Sequence, residues 1–69
     1  MRLDDPEARR EIVRLKHKHG LAFTPTAAGA EFSHPTHGRC QIHLRNDRDD
    51  LAALLAWLRE KRLEPPAHR

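Results

Sequence analysis

Ala30-Glu31-Phe32-Ser33-His34-Pro35-Thr36-His37-Gly38-Arg39-Cys40-Gln41-Ile42-His43-Leu44 is the stretch whose reading decides the fold. Apolar and polar residues alternate on both sides of a Pro-Thr-His-Gly turn. A period of two is what a half-buried strand requires, because successive side chains point to opposite faces. Two antiparallel strands are therefore expected, over residues 30–34 and 39–44, joined by a hairpin loop in which Gly38 takes the positive φ such loops need. Phe32, Cys40, Ile42 and Leu44 fall on an apolar face. Glu31, Ser33, Arg39, Gln41 and His43 fall together on the other, which is expected to stay open to water.

Upstream of the hairpin, Leu21 to Thr24 reads as a short edge strand stopped by Pro25, followed by a turn over Thr26-Ala27-Ala28-Gly29. Further out the period changes to that of a helix. Asp5 caps free backbone N–H groups, Pro6 suits the first helical position, and Ala8, Ile12, Leu15 and His19 recur at helical spacing until Gly20. This predicts a helix over residues 6–19, with Arg10, Arg14 and Lys18 four apart on its charged side. Downstream, Asn46-Asp47-Arg48-Asp49-Asp50 supplies capping types. Leu51, Leu54, Leu55 and Leu58 then mark a second helix over roughly residues 47–63, before Pro65-Pro66. The expected fold is a small α+β domain over residues 1–63, in the order α-β-β-β-α, with both helices on one face of a short antiparallel sheet and a disordered tail over 64–69.

The chain's 69 residues and three aromatics (Phe23, Phe32, Trp57) allow one small core and exclude a two-domain enzyme or an enclosure for a large cofactor. Such a core is marginal by itself, so a protein partner or a homodimer would help it. No apolar run reaches the roughly 20 residues of a membrane span. The opening Met-Arg-Leu-Asp-Asp lacks a signal peptide's apolar stretch, so a cytoplasmic protein is expected. Cys40 is the single cysteine, which rules out an internal disulfide. Lys and Arg number 13 against 10 Asp and Glu, with the bases concentrated in the first helix. Nucleic acid is a partner consistent with that distribution, as is a merely solvated helix face.

Three sets of residues are candidates for function. Glu31, Arg39 and His43 bring a carboxylate, a guanidinium and an imidazole to one sheet face, the groups that general acid–base attack by an RNA 2′-hydroxyl would use without a metal. Arg10, Arg14, Lys18 and Arg39 are candidate phosphate contacts. Trp57, with Leu54 and Leu58, either covers the edge of the core or anchors a protein partner on the second helix. His34, His37, Cys40 and His43 recur every third residue and are of zinc-binding type. Strand geometry sends Cys40 and His43 to opposite faces, so neither a metal nor another cofactor is expected.

Glu11-Ile12-Val13-Arg14-Leu15, His19-Gly20, Phe32-Ser33-His34-Pro35, Gly38-Arg39 and the alternating Cys40-Gln41-Ile42-His43-Leu44 follow one another in an order that resembles the HicA-type mRNA interferase toxins. The resemblance covers approximately residues 10–58 and implies a double-stranded-RNA-binding-domain-like α-β-β-β-α fold. It also implies RNA as substrate and a cognate antitoxin-like or regulatory protein as partner. The family's catalytic histidine belongs to a Gly-Ser-His motif at the start of the second strand, where this chain has Ala28-Gly29-Ala30-Glu31. No catalytic residue is carried over, and Glu31 and His43 stand as candidates on their own chemistry. The alternative to an RNA-directed protein is a catalytically inactive binding module, such as a regulator, inhibitor or phage-type adaptor, acting through its second helix.

Overall fold

A computed structural model describes residues 5–65. It contains α1 (Pro6–His19), β1 (Ala22–Thr26), β2 (Gly29–His34), β3 (Gly38–Ile42) and α2 (Asp47–Glu60), which is the α-β-β-β-α order expected. The sheet is antiparallel with strand order β1-β2-β3. Phe32 faces Cys40 and Ala30 faces Ile42 across β2 and β3. These four residues are buried, so the apolar half of the alternation is the inner face of the sheet.

The helices pack side by side and parallel, as the contacts at their two poles show. At the first pole the Asp5 N–H donates to Asp47 Oδ2 at 3.0 Å, Arg9 Nη2 lies 3.3 Å from Asp47 Oδ2, and Arg48 Nη2 lies 3.2 Å from Asp5 Oδ2. Two helix N-termini side by side present two positive dipole ends, and the aspartates offset them. Asp5 and Asn46 also cap their own helices, accepting from Ala8 N–H at 3.2 Å and Asp49 N–H at 2.8 Å. At the opposite pole His19 Nε2 lies 2.6 Å from Glu64 Oε2, and Lys18 Nζ lies 2.9 Å from the same oxygen.

Both helices stop at this second pole through the same hydrogen-bond pattern. In α1, Gly20 is left-handed at φ +64°, its N–H donates to His17 at 3.3 Å, and the Leu21 N–H reaches back to Lys16 at 2.9 Å. In α2, Arg62 is left-handed at φ +62°, its N–H donates to Arg59 at 3.0 Å, and the Leu63 N–H reaches back to Leu58 at 2.8 Å. These are Schellman closures, in which the residue after the left-handed one turns an apolar side chain back onto the helix. Leu21 accordingly joins the core formed by Leu15, Phe32, Cys40, Ile42, Leu54 and Leu58, and Leu63 packs against it.

Three local expectations are corrected. Pro25 does not stop β1; it lies within the strand, opposite Ala30. An edge strand has one side without a partner, so the missing N–H of a proline is tolerated there. β3 ends at Ile42 rather than Leu44, and Leu44, expected on the inner face, is 53% exposed at φ +57°. The chain turns sharply at this point to enter α2. The Asp50 side chain is buried in the first turn of α2, directly after this turn. Finally, α2 ends at Glu60, before the expected residue 63, because Arg62 leaves helical geometry.

Candidate functional site

The outer face of the sheet is built by register alone. Thr24, Glu31 and Gln41 stand in one row across the three strands, and Ala22, Ser33 and Arg39 in the next. Directly opposite residues share a face, so the expected gathering of Glu31, Ser33, Arg39 and Gln41 is present. Arg39 Nη1 lies 3.4 Å from Glu31 Oε1 in a diagonal cross-strand pair, with the arginine 73% and the glutamate 22% exposed. Gln41 Nε2 donates to Thr26 Oγ1 at 3.2 Å and to the Ala30 carbonyl at 3.0 Å, which ties β1 to β3 across the central strand.

His43 is placed differently. It follows the last residue of β3, is exposed, and lines a shallow groove with Arg45, Asp49, Asp50, Ala52 and Ala53 beside the start of α2. No hydrogen bond joins it to Glu31 or Arg39, so the described residues pair the carboxylate with the guanidinium and leave the imidazole outside that pair. The Asp50 carboxyl in this groove is raised above its ordinary value by burial, against the pull of the Arg45 N–H.

The basic stripe of α1 is present, but its charges are unequally free. Arg14 is held by Glu11 through Nε at 2.9 Å and through a second contact from Nη2. That pairing raises Arg14 and lowers Glu11 relative to their ordinary pKa values. Lys18 is taken up by Glu64. Arg10 is exposed and pairs with no carboxylate among the described residues. Val13, in the same exposed stretch of helix, is 46% exposed.

Leu54 and Leu58 are 0% exposed and Trp57 packs against the core they help to form. Of the two readings left open for this set, Leu54 and Leu58 help to close this chain's own fold, and Trp57 lies at the edge of the core. Cys40 is also a core residue, and burial pushes its thiol pKa up to about 11, which keeps it protonated and unreactive near neutrality.

The grouping at the second pole has no mark in the sequence. Glu64, assigned to the tail, is only 10% exposed at its side chain and sits between Lys18 and His19. Those two partners hold its carboxyl below the ordinary value. The rest of the expected disordered tail, residues 66–69, lies outside the described residues, as do 1–4. His34 and His37 approach each other across the β2–β3 loop, with their Nδ1 atoms 3.2 Å apart. The His34 pKa is lowered by desolvation first, then by His37 and His19. The His-x-x-His spacing is visible in the sequence, yet alternation in a strand gave no reason to pair residues that a loop folds together.

Among the described residues no helix is long and apolar enough to cross a membrane. No family model, curated protein or solved structure matches the chain.

Proposed function

We propose that the chain is a small cytoplasmic RNA-binding protein, HicA-like, of a toxin–antitoxin or related regulatory system. The observation that carries this reading is the element order together with the parallel helix pair on one sheet face. That architecture matches what the family resemblance implies, and it leaves the α1 stripe on the helix side and Arg39 on the outer sheet face each exposed to a polyanion. Arg10 meets phosphate directly. Arg14, Lys18 and Arg39 do so by exchanging Glu11, Glu64 and Glu31 for phosphate oxygens, a trade between partners of the same sign. RNA is then recognised through its backbone and shape more than through its bases.

Binding is better supported than cleavage, because Glu31 and Arg39 are paired while His43 stands apart. The deciding experiment is a mobility-shift and cleavage assay with end-labelled RNA at low salt, without metal. It compares the native chain with an Arg10→Ala/Arg14→Ala/Lys18→Ala variant and with His43→Ala. Binding should weaken with salt, with a logarithmic slope of about −3 for some three or four neutralised phosphates, and fall in the triple variant. Absence of binding at low salt overturns the reading. Cleavage abolished in His43→Ala would add ribonuclease activity to it, whereas binding alone retires the enzyme.

A further inference from the structure

His34 ends β2 and pairs with Gly38 across the ladder, so the three residues Pro35, Thr36 and His37 form the whole loop between strands. So short a loop folds His37 back over His34. The rings meet edge-on at 82°, with centroids 4.5 Å apart, and both Nδ1 atoms turn inward to a separation of 3.2 Å. Thr36 fills the remaining side of the turn: its N–H donates to His34 Nδ1 at 3.1 Å, and its Oγ1 lies 3.0 Å from His37 Nδ1. A nitrogen that accepts a backbone N–H carries a lone pair there, so the proton of neutral His34 resides on Nε2.

We infer that His34 and His37 form a two-histidine site for a borderline divalent transition-metal ion such as Zn2+, ligated through both Nδ1 atoms. Two imidazole nitrogens bound tetrahedrally at about 2.0–2.1 Å from one ion stand about 3.3 Å apart. The observed 3.2 Å is therefore close to the bite of a chelate before any metal arrives. Metal capture displaces the Thr36 N–H from His34 Nδ1 and replaces the hydrogen bond between the two Nδ1 atoms, with the His37 proton moving from Nδ1 to Nε2 or to solvent. Among the described residues no group of three His, Cys, Asp or Glu side chains is placed to hold an ion. Two protein ligands are fewer than the three of a catalytic zinc site or the four of a structural one, so the pair acts as an exchangeable chelate. Imidazole also suits Cu2+ and Ni2+, and affinity orders rise toward copper.

The inference is independent of RNA binding and is tested without it. Full-length chain is titrated with Zn2+ by calorimetry at pH 7.5, beside His34→Ala, His37→Ala and His17→Ala. Long-range nitrogen NMR then identifies the metallated ring atoms. Saturable binding should drop about tenfold or more in His34→Ala and in His37→Ala, because each variant turns a chelate into a single ligand, and should be unchanged in His17→Ala. Nδ1, rather than Nε2, should carry the metal. Equal affinity in His37→Ala, or metal on Nε2 of both rings, overturns the site. Should His34→Ala disturb the end of β2, the exposed loop variant His37→Ala decides the matter by itself.

Discussion

Two helix ends in this molecule have the same backbone shape and different residues. α1 closes with Gly20 and Leu21, α2 with Arg62 and Leu63, and in both the left-handed residue and the leucine after it repeat the same two hydrogen bonds. At α1 the residue at the left-handed position has no Cβ, so the geometry costs little. At α2 a long side chain sits in a region that disfavours L-residues by about 1–2 kcal/mol. The pattern of bonds and the apolar anchor are what close a helix, and glycine only lowers the cost. The α2 closure survives its arginine because Leu63 packs on the core and Glu64, the next residue, is gripped by Lys18 and His19 from α1.

The comparison breaks most strongly at its anchors. Leu21→Ala should destabilise the fold by about 2–4 kcal/mol, because Leu21 is almost fully buried and leaves a cavity among Leu15, Phe32 and Leu58. Leu63→Ala should cost visibly less, since Leu63 is only partly buried; comparable losses in urea unfolding would refute the ranking of the two ends. Gly20→Ala should cost about 1 kcal/mol. A Cβ at Gly20 meets nothing within 4 Å, so that loss is conformational rather than steric. The mirror change, Arg62→Gly, should stabilise by about 0.5–1 kcal/mol, the left-handed strain relieved less the added entropy of the unfolded chain. A destabilised Arg62→Gly would mean that the arginine side chain supports the closure.

The smallest effect expected is that of Glu64→Gln, about 0–1 kcal/mol at neutral pH. Its signature is in the pH dependence. Because Lys18 and His19 hold the folded carboxyl below its ordinary 4.5, the native state binds fewer protons than the unfolded chain there. The stabilisation is complete above that value and is lost as pH falls through the lowered folded one. Glu64→Gln should flatten that part of an acid-unfolding profile, while the loss from Asp5, also lowered and set at the other pole, should persist.

The same contrast explains what the sequence reveals. Caps and glycines are local, so α1 could be bounded from Asp5 and Gly20 to the residue. The strand alternation likewise sorted Phe32, Cys40 and Ile42 from Glu31, Arg39 and Gln41. What escaped depends on tertiary context: the left-handed Arg62 and Leu44 have no sequence mark, and Pro25 is admissible only because β1 turned out to be an edge. For the candidate site, the Glu31–Arg39 pair followed from register, whereas the position of His43 depended on where β3 ends. The meeting of His34 with His37, and of His19 with Glu64, depended on how a loop and a helix terminus fold back. No periodicity encodes those contacts.

The parallel arrangement of α1 and α2 has a mechanical consequence. The described chain begins at the aspartate pole and ends at the histidine pole, so a tension applied between Asp5 and Pro65 runs along the shared helix axis. The load falls on the α1–α2 seam in shear, engaging the Asp5–Arg48 and Lys18–Glu64 ties and the leucines between them together instead of peeling them apart in turn.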